Sequence, residues 1–199
     1  MQKPIAVLGG TFNPIHNGHI KMAYASLLEC DVSKVIFLPN GMPPHKDGEG
    51  ILSSDHRFNM VKLAIEGEQR FELSDYEIKR DKPSYTVDTQ RALKEIYNCP
   101  IYFIIGADSL YTLHLWKNPD VLIRECNFIV CDRKTGLGSD VKDAADKIND
   151  MGGSVKVLSM PRIDITSTEL RNYIKTGKDV SDYLSANVYE YIKKNKLYL

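Results

Sequence analysis

Ile5-Ala6-Val7-Leu8-Gly9-Gly10 runs directly into Thr11-Phe12-Asn13-Pro14-Ile15-His16-Asn17-Gly18-His19, and His19 to Glu29 is rich in Ala, Leu and Met. An unbroken apolar run at the start of this stretch, with no in-out alternation, is the pattern of a strand covered on both faces. The Gly pair removes side chains where backbone has to pass close to something, as a phosphate-cradling turn requires. A helix then follows. Strand, glycine turn and helix make the first half of a βαβ unit, whose next strand lies parallel to the first.

The same alternation continues along the chain. Strand candidates are Ile5–Leu8, Val35–Leu38, Ile101–Ile105, Phe128–Cys131 and Val155–Leu158. Helical patterns fall between them. Arg57–Ile65 puts Phe58, Val61 and Ile65 on one face after the cap candidates Ser53, Ser54 and Asp55. Thr89, Ala92, Leu93, Ile96 and Tyr97 keep helical spacing, and Val141–Met151 is weakly amphipathic. Thr166 and Glu169 have capping-box spacing, Leu170, Tyr173 and Ile174 form an apolar stripe, and Gly177 is placed to close that helix. The pattern predicts an α/β fold with a doubly wound parallel sheet. With no internal repeat and no linker-like shift, residues 1–199 read as a single domain with a small helical C-terminal part at about 166–199.

Composition narrows the function classes. Among 199 residues Lys plus Arg equals Asp plus Glu, 26 each, so no large field of one sign covers the surface. Such a balance argues against a nucleic-acid partner, which needs clustered positive charge. Any anion must be held by a local constellation. No apolar run approaches the roughly 20 residues that span a bilayer, and the N-terminus reads as a strand rather than a signal sequence. Cys30, Cys99, Cys126 and Cys131 show no C-x-x-C pairing. They read as buried free thiols of a cytoplasmic protein.

In a doubly wound sheet, ligands sit at the carboxyl ends of the strands, in the loops that lead into helices. The first such loop, Gly9 to His19, is neither a P-loop nor G-x-G-x-x-G, because its glycines stand at 9, 10 and 18 and no P-loop lysine is present. His16 and His19 can project the same way from a helix start. Beside free backbone N–H groups, two imidazoles make a site for a phosphate gaining negative charge. The bland alternative is one core histidine and one solvated one. A metal site would have two ligands here, with no third suggested by spacing.

Embedded behind a strand and a Gly-Gly turn, this segment resembles the H-x-G-H signature of the nucleotidylyltransferase superfamily, in the G-G-T-F-D-P-x-H-x-G-H form of bacterial nicotinate-mononucleotide adenylyltransferases. Asn13 replaces the usual Asp, keeping turn-forming capacity and losing a charge. The resemblance implies a Rossmann-like nucleotidyltransferase fold, with Gly9, Gly10, Thr11, Phe12 and Gly18 around ATP and with His16 and His19 acting on the α-phosphate.

Later segments match the same family in order. Pro43-Pro44-His45-Lys46 is a stiffened loop presenting a lysine; alone it reads as solvated surface, and the resemblance makes Lys46 a triphosphate contact. Ser84-Tyr85-Thr86 opens a helix; the turn is either plain capping or, as in the family, a holder of the nicotinate carboxylate through backbone amides around Tyr85 and Thr86. Gly106-Ala107-Asp108 ends a strand, where Asp108 is an N-cap or a ribose ligand, and the resemblance implies the latter together with Gly106 at ATP. Trp116, the only tryptophan, is a core or lid anchor by composition and a pyridine-stacking residue by resemblance. Ile165-Thr166-Ser167-Thr168-Glu169-Leu170-Arg171 resembles the I-S-S-T-x-[IL]-R signature; Ser167, Thr168 and Arg171 would hold the leaving pyrophosphate rather than cap a helix beside a surface arginine. Ser185 stands where proline is common, with no catalytic consequence expected. Arg133 reads equally as a nucleotide contact or a surface ion pair.

The resemblance therefore implies AMP transfer from ATP, with Mg2+, to nicotinate mononucleotide. The rivals are nicotinamide mononucleotide or phosphopantetheine as acceptor, CMP as the transferred group, and a non-catalytic nucleotide sensor on the same fold. A sensor would have no chemical need for His16, His19, Lys46 and Arg171 together. Oligomeric state is left open, a homo-oligomer included.

Overall fold

The computed structural model describes residues 2–41, 50–80, 83–132, 139–160 and 165–199. Six strands form one all-parallel sheet in the order β3-β2-β1-β4-β5-β6. In chain order they are β1 (Ile5–Gly10), β2 (Val35–Pro39), β3 (Phe71–Leu73), β4 (Ile101–Gly106), β5 (Asn127–Asp132) and β6 (Ser154–Ser159). The chain starts in the middle, winds outward through β2 and β3, returns to β4 on the other side of β1, and winds outward again. The switch point is the gap between β1 and β4, where Val7 pairs with Phe103. Helices diverge there and leave a crevice at the carboxyl edge.

The helices are α1 (Asn17–Glu29), α2 (Ser54–Ile65), α3 (Thr86–Tyr97), α4 (Ala107–Tyr111), α5 (Pro119–Glu125), α6 (Ser139–Asp150), α7 (Ser167–Lys175) and α8 (Ala186–Lys194). Alternate residues of β1 point to opposite faces, and each face has its own core. Ala6 and Leu8 join Met22 and Leu27 of α1, Met60 and Val61 of α2, Leu170 of α7 and Ile192 of α8. Ile5 and Val7 join Leu93 of α3, Leu122 of α5 and Ala145 of α6. Both faces are apolar and both are covered, which is why the strands read as continuous runs.

All five strand candidates fall inside strands. β3, three residues long, lies outside that set, as do α4, α5 and α8. Two apolar faces differ from the spacing. On α2 the fully buried positions are Arg57, Met60 and Val61, while Phe58 is only half-buried. On α3 they are Val87, Thr89, Gln90 and Leu93, and Ile96 is 60% exposed. Gln90 turns inward because its amide donates to the Glu125 carbonyl at 3.1 Å. The four cysteines are buried and form no disulfide, and burial pushes the Cys126 thiol up to about 12. No helix among the described residues is long and apolar enough to cross a membrane.

The C-terminal helices close over the first loop. Thr166 and Glu169 form the expected capping box at α7, and Gly177 ends that helix at φ +70°. Ser185, in place of proline, accepts the Val188 amide and caps α8. Leu170 is the anchor of this layer at 0% exposure. Leu170→Ala is expected to cost about 2–5 kcal/mol of unfolding free energy, measured by denaturant titration. A cost below about 1 kcal/mol would mean that the layer is not packed as described.

Candidate active site

A cavity of about 380 Å³ opens at the carboxyl edge of the sheet. β1 lines it with Gly9 and Gly10, β4 with Gly106, and α1 with His19. Ser84, Tyr85, Thr86 and Trp116 complete the wall. A Cβ on Gly9 would meet no atom within 4 Å, so any side chain there would stand in the cavity itself.

His16 and His19 build the start of α1 between them. His16 is the N-cap: its Nδ1 accepts the Gly18 amide at 3.1 Å. His19 reciprocates, with Nδ1 accepting the His16 amide at 3.2 Å. This is a capping box made of imidazoles. The rings lie with centroids 3.8 Å apart at 37°, and Phe12 packs edge-on against His19 at 5.1 Å. An Nδ1 that accepts a hydrogen bond holds no proton, so each neutral ring bears its hydrogen on Nε2. His16 is 4% exposed, whereas His19 is half-buried at the cavity. The expectation of free helix amides beside the rings is corrected. The Asn17 amide donates to the Tyr183 carbonyl at 2.7 Å, and the next two amides bond to His16. Donors at this point must come from the imidazoles.

α3 offers the opposite case. Tyr85 is its N-cap in extended backbone but makes no side-chain cap bond, although α1, α2, α7 and α8 are each capped by a side chain. The Asp88 and Thr89 amides both return to the Tyr85 carbonyl. The amides of Thr86 and Val87 find no acceptor among the described residues. An uncapped helix start at a cavity wall attracts a carboxylate. The Ser84-Tyr85-Thr86 turn is therefore not ordinary capping. Trp116 stands at the same cavity, and the Lys117 ammonium lies 5.6 Å from the Tyr85 ring centroid.

The last motif docks on the first loop. Arg171 Nη1 donates to the Asn13 carbonyl at 2.9 Å and Nη2 to Thr168 Oγ1 at 3.2 Å. Ser167 Oγ donates to the Pro14 carbonyl at 3.0 Å. The start of α7 and the His16 loop are thus one structure, though 150 residues separate them (Asn17 to Ser167). Asn13, which replaces the family's Asp, uses both ends of its amide. Nδ2 donates to the Gly50 carbonyl at 2.9 Å, while Oδ1 accepts from Leu52 N at 3.2 Å and Tyr198 Oη at 3.0 Å. A carboxylate could not make the first of these bonds.

Thr11, Phe12, His16, Gly18, Asp108, Ser167, Thr168 and Arg171 do not line the cavity. Asp108 is exposed in the first turn of α4, next to the lining residues Gly106 and Ser109. Phe12 turns its ring into the core at 2% exposure, which leaves only its backbone for a ligand. Lys46, with Pro43, Pro44 and His45, and Arg133 lie outside the described residues. Among the described residues no three His, Cys, Asp or Glu side chains are grouped to hold a metal ion. Sequence reasoning missed Asn40, Glu77 and Lys117 in the wall, and Arg57 beneath it. Glu77 sits in a stretch with no periodicity, and Arg57 was masked by the apolar pattern around it.

Residues 7–173 match the cytidylyltransferase-like family. A Clostridium tetani protein named "Probable nicotinate-nucleotide adenylyltransferase" is 41% identical over 202 residues, covering 98% of this chain and 99% of that protein. The Caldicellulosiruptor bescii protein of the same name is 40% identical over 194 residues, covering 98% of both chains. Among solved structures, Plasmodium falciparum nicotinic acid mononucleotide adenylyltransferase complexed with NaAD superposes with a TM-score of 0.80 at 22% identity, covering 99% of this chain and 98% of that one. The same enzyme complexed with APC gives the same TM-score at 21% identity, again covering 99% and 98%. At that identity the likeness establishes the fold.

Glu77 is the buried carboxyl of the cavity wall, 9% exposed, and it accepts the Thr89 hydroxyl at 2.7 Å. Burial raises its pKa above the ordinary 4.5, against the opposing pull of Thr89 and Arg80. The folded state thus holds this proton longer than the unfolded chain does. The group's stability contribution is full below 4.5 and is lost as pH rises through the folded value. Glu77→Gln keeps the acceptor for Thr89 and removes the titration. Its melting temperature should rise relative to wild type between about pH 4 and about pH 7. A difference that stays constant over that interval would contradict the burial argument.

Proposed function

The chain belongs to the cytidylyltransferase-like family and, within it, to the nicotinate-nucleotide adenylyltransferases, and from that premise we propose how its site transfers AMP from ATP to nicotinate mononucleotide. The products are nicotinate adenine dinucleotide and pyrophosphate, a step of NAD synthesis. One observation supports the reading above the others. A single cavity brings His19 and the Gly9-Gly10 turn together with Trp116 and a helix start that no side chain among the described residues caps.

The 5′-phosphate of the acceptor is its own nucleophile, because the second pKa of a phosphate monoester is about 6. Its oxygen forms a new bond to the α-phosphorus of ATP. The bond from that phosphorus to the bridging oxygen breaks, and pyrophosphate leaves with the electron pair. No general base and no covalent intermediate are required. The protein positions the two phosphates and stabilises the charge that develops.

The Nε2 hydrogens of His16 and His19 serve the α-phosphate. Arg171, Thr168 and Lys46 hold the β- and γ-phosphates, Asp108 the ribose, and the backbone at Gly9, Gly10, Thr11 and Phe12 the rest of ATP, whereas the Ser167 hydroxyl and the Gly18 amide are committed to Pro14 and His16. Trp116 stacks on the pyridine ring while the Thr86 and Val87 amides, with Ser84 and Tyr85, receive the nicotinate carboxylate. Mg2+ would be held by the phosphates of ATP and by water rather than by a dedicated protein cage, and it would supply positive charge against the developing negative charge. The C-terminal helices share their core with the sheet, so the chain acts as one domain. Four buried cysteines without a disulfide suit the cytoplasm.

The test is pyrophosphate release from Mg-ATP with nicotinate mononucleotide, nicotinamide mononucleotide and phosphopantetheine in parallel, for wild type and for His16→Ala and His19→Ala. Wild type should favour the nicotinate compound, and each variant should lose roughly 10²-fold or more in kcat. Silence with all three acceptors, or a near-normal rate in either variant, would overturn the reading.

A further inference from the structure

Arg57 is the largest side chain that the fold buries completely, at 1% exposure. Its guanidinium lies under the strand ends and makes four hydrogen bonds. Nε donates to the Leu52 carbonyl at 3.1 Å, Nη1 to the Thr11 carbonyl at 2.9 Å and to Asn40 Oδ1 at 3.3 Å, and Nη2 to the Gly41 carbonyl at 2.9 Å. Every acceptor is neutral, and none of the ion pairs among the described residues involves Arg57. Tyr198, which couples with it, is a buried phenol whose own pKa is raised by that burial. A buried cation with no counter-ion among the described residues is destabilising in a fold that needs only packing at that position.

Its location gives the charge a use. Thr11 and Asn40 follow the adjacent strands β1 and β2 at the carboxyl edge, where Asn40 lines the cavity and its amide donates to the Gly10 carbonyl at 3.0 Å. Gly41 abuts the Glu77 carbonyl so closely that a Cβ would come within 2.5 Å of it. Arg57 therefore pins both strand exits from below. The peptide unit from Thr11 to Phe12 is planar, with C=O and N–H pointing in opposite directions. Holding the Thr11 carbonyl toward the buried guanidinium turns the Phe12 N–H outward. That amide has no acceptor among the described residues. Phe12 is also in the left-handed region at φ +49°, a conformation that a non-glycine residue keeps only when its surroundings impose it.

We propose that Arg57 is the positioning residue of the phosphate-binding loop. It fixes the Thr11–Phe12 peptide so that the Phe12 amide faces the phosphates of ATP, and its buried charge favours the arrival of that polyphosphate. The inference rests on the proposed adenylyl transfer, because it assumes that phosphate binds above this loop.

Steady-state kinetics of Arg57→Met and Arg57→Lys separate this role from simple structural support. Arg57→Met should raise KM for Mg-ATP roughly tenfold or more and leave KM for nicotinate mononucleotide nearly unchanged. Arg57→Lys, with the charge but not the planar fork, should fall between the two. Unchanged KM for Mg-ATP in a folded variant, or equal rises in both KM values, would overturn the proposal. Wild-type protein provides a second test that does not depend on variant folding. On titration with inorganic tripolyphosphate, the NMR signals of the Phe12 amide and the Arg57 guanidinium should shift with one midpoint. A Phe12 amide that stays still would refute it. If wild type turns over no acceptor, the proposed function fails, whereas this titration still reports on Arg57.

Discussion

Two hydrogen bonds in which imidazole nitrogens accept backbone amides hold the working end of this molecule together. His16 Nδ1 takes the Gly18 amide and His19 Nδ1 takes the His16 amide. With them α1 can start immediately after the β1 turn, on the axis that the central strand sets. The same bonds fix the hydrogen of each neutral ring on Nε2. A helix cap and a pair of aimed donors are thus one arrangement. A serine and a glutamate would cap as well, but they would leave no such donors.

Around that arrangement the fold gathers positive groups without becoming a basic protein. The chain has 26 cations and 26 anions, yet Arg57 and Arg171 both direct guanidinium hydrogens at carbonyls of the first loop. Each positions backbone, and neither pairs with a carboxylate among the described residues. The loop is braced from a third side by Asn13, whose amide joins Gly50, Leu52 and Tyr198. Loss of the family's aspartate charge at this position is therefore matched by a donor bond that only an amide supplies. The cavity's other wall is built differently, from the uncapped start of α3 and an aromatic side chain, which suits a flat anionic ring more than a polyphosphate.

Much of this was legible in the residues. Strands buried on both faces announced themselves as Ile5–Leu8 or Phe128–Cys131, because no polar alternation is needed there. β3 escaped because Phe71-Glu72-Leu73 is too short to show a period. The face of α3 was misjudged at Ile96 because apolar spacing cannot foresee that Gln90 would be drawn inward by the Glu125 carbonyl. Of the residues that line the cavity, His19 and Trp116 were visible through motif and order. Glu77 and Asn40 were not, and neither was Arg57 beneath it, since each acts through partners 12 to 46 positions away. Long-range polar pairing leaves no local pattern in a sequence.

The proposed transfer needs both histidines to present Nε2 hydrogens to the α-phosphate, and their Nδ1 atoms are committed to the backbone. Nitrogen-15 NMR of protein labelled at histidine measures this directly, without ligand and with a non-hydrolysable ATP analogue. The Nε2–H tautomer is expected for the neutral His16 and His19 rings in the free protein, with both Nε2 signals shifting when the analogue binds. An Nδ1–H tautomer at either ring, or Nε2 signals unmoved by the analogue, would contradict it.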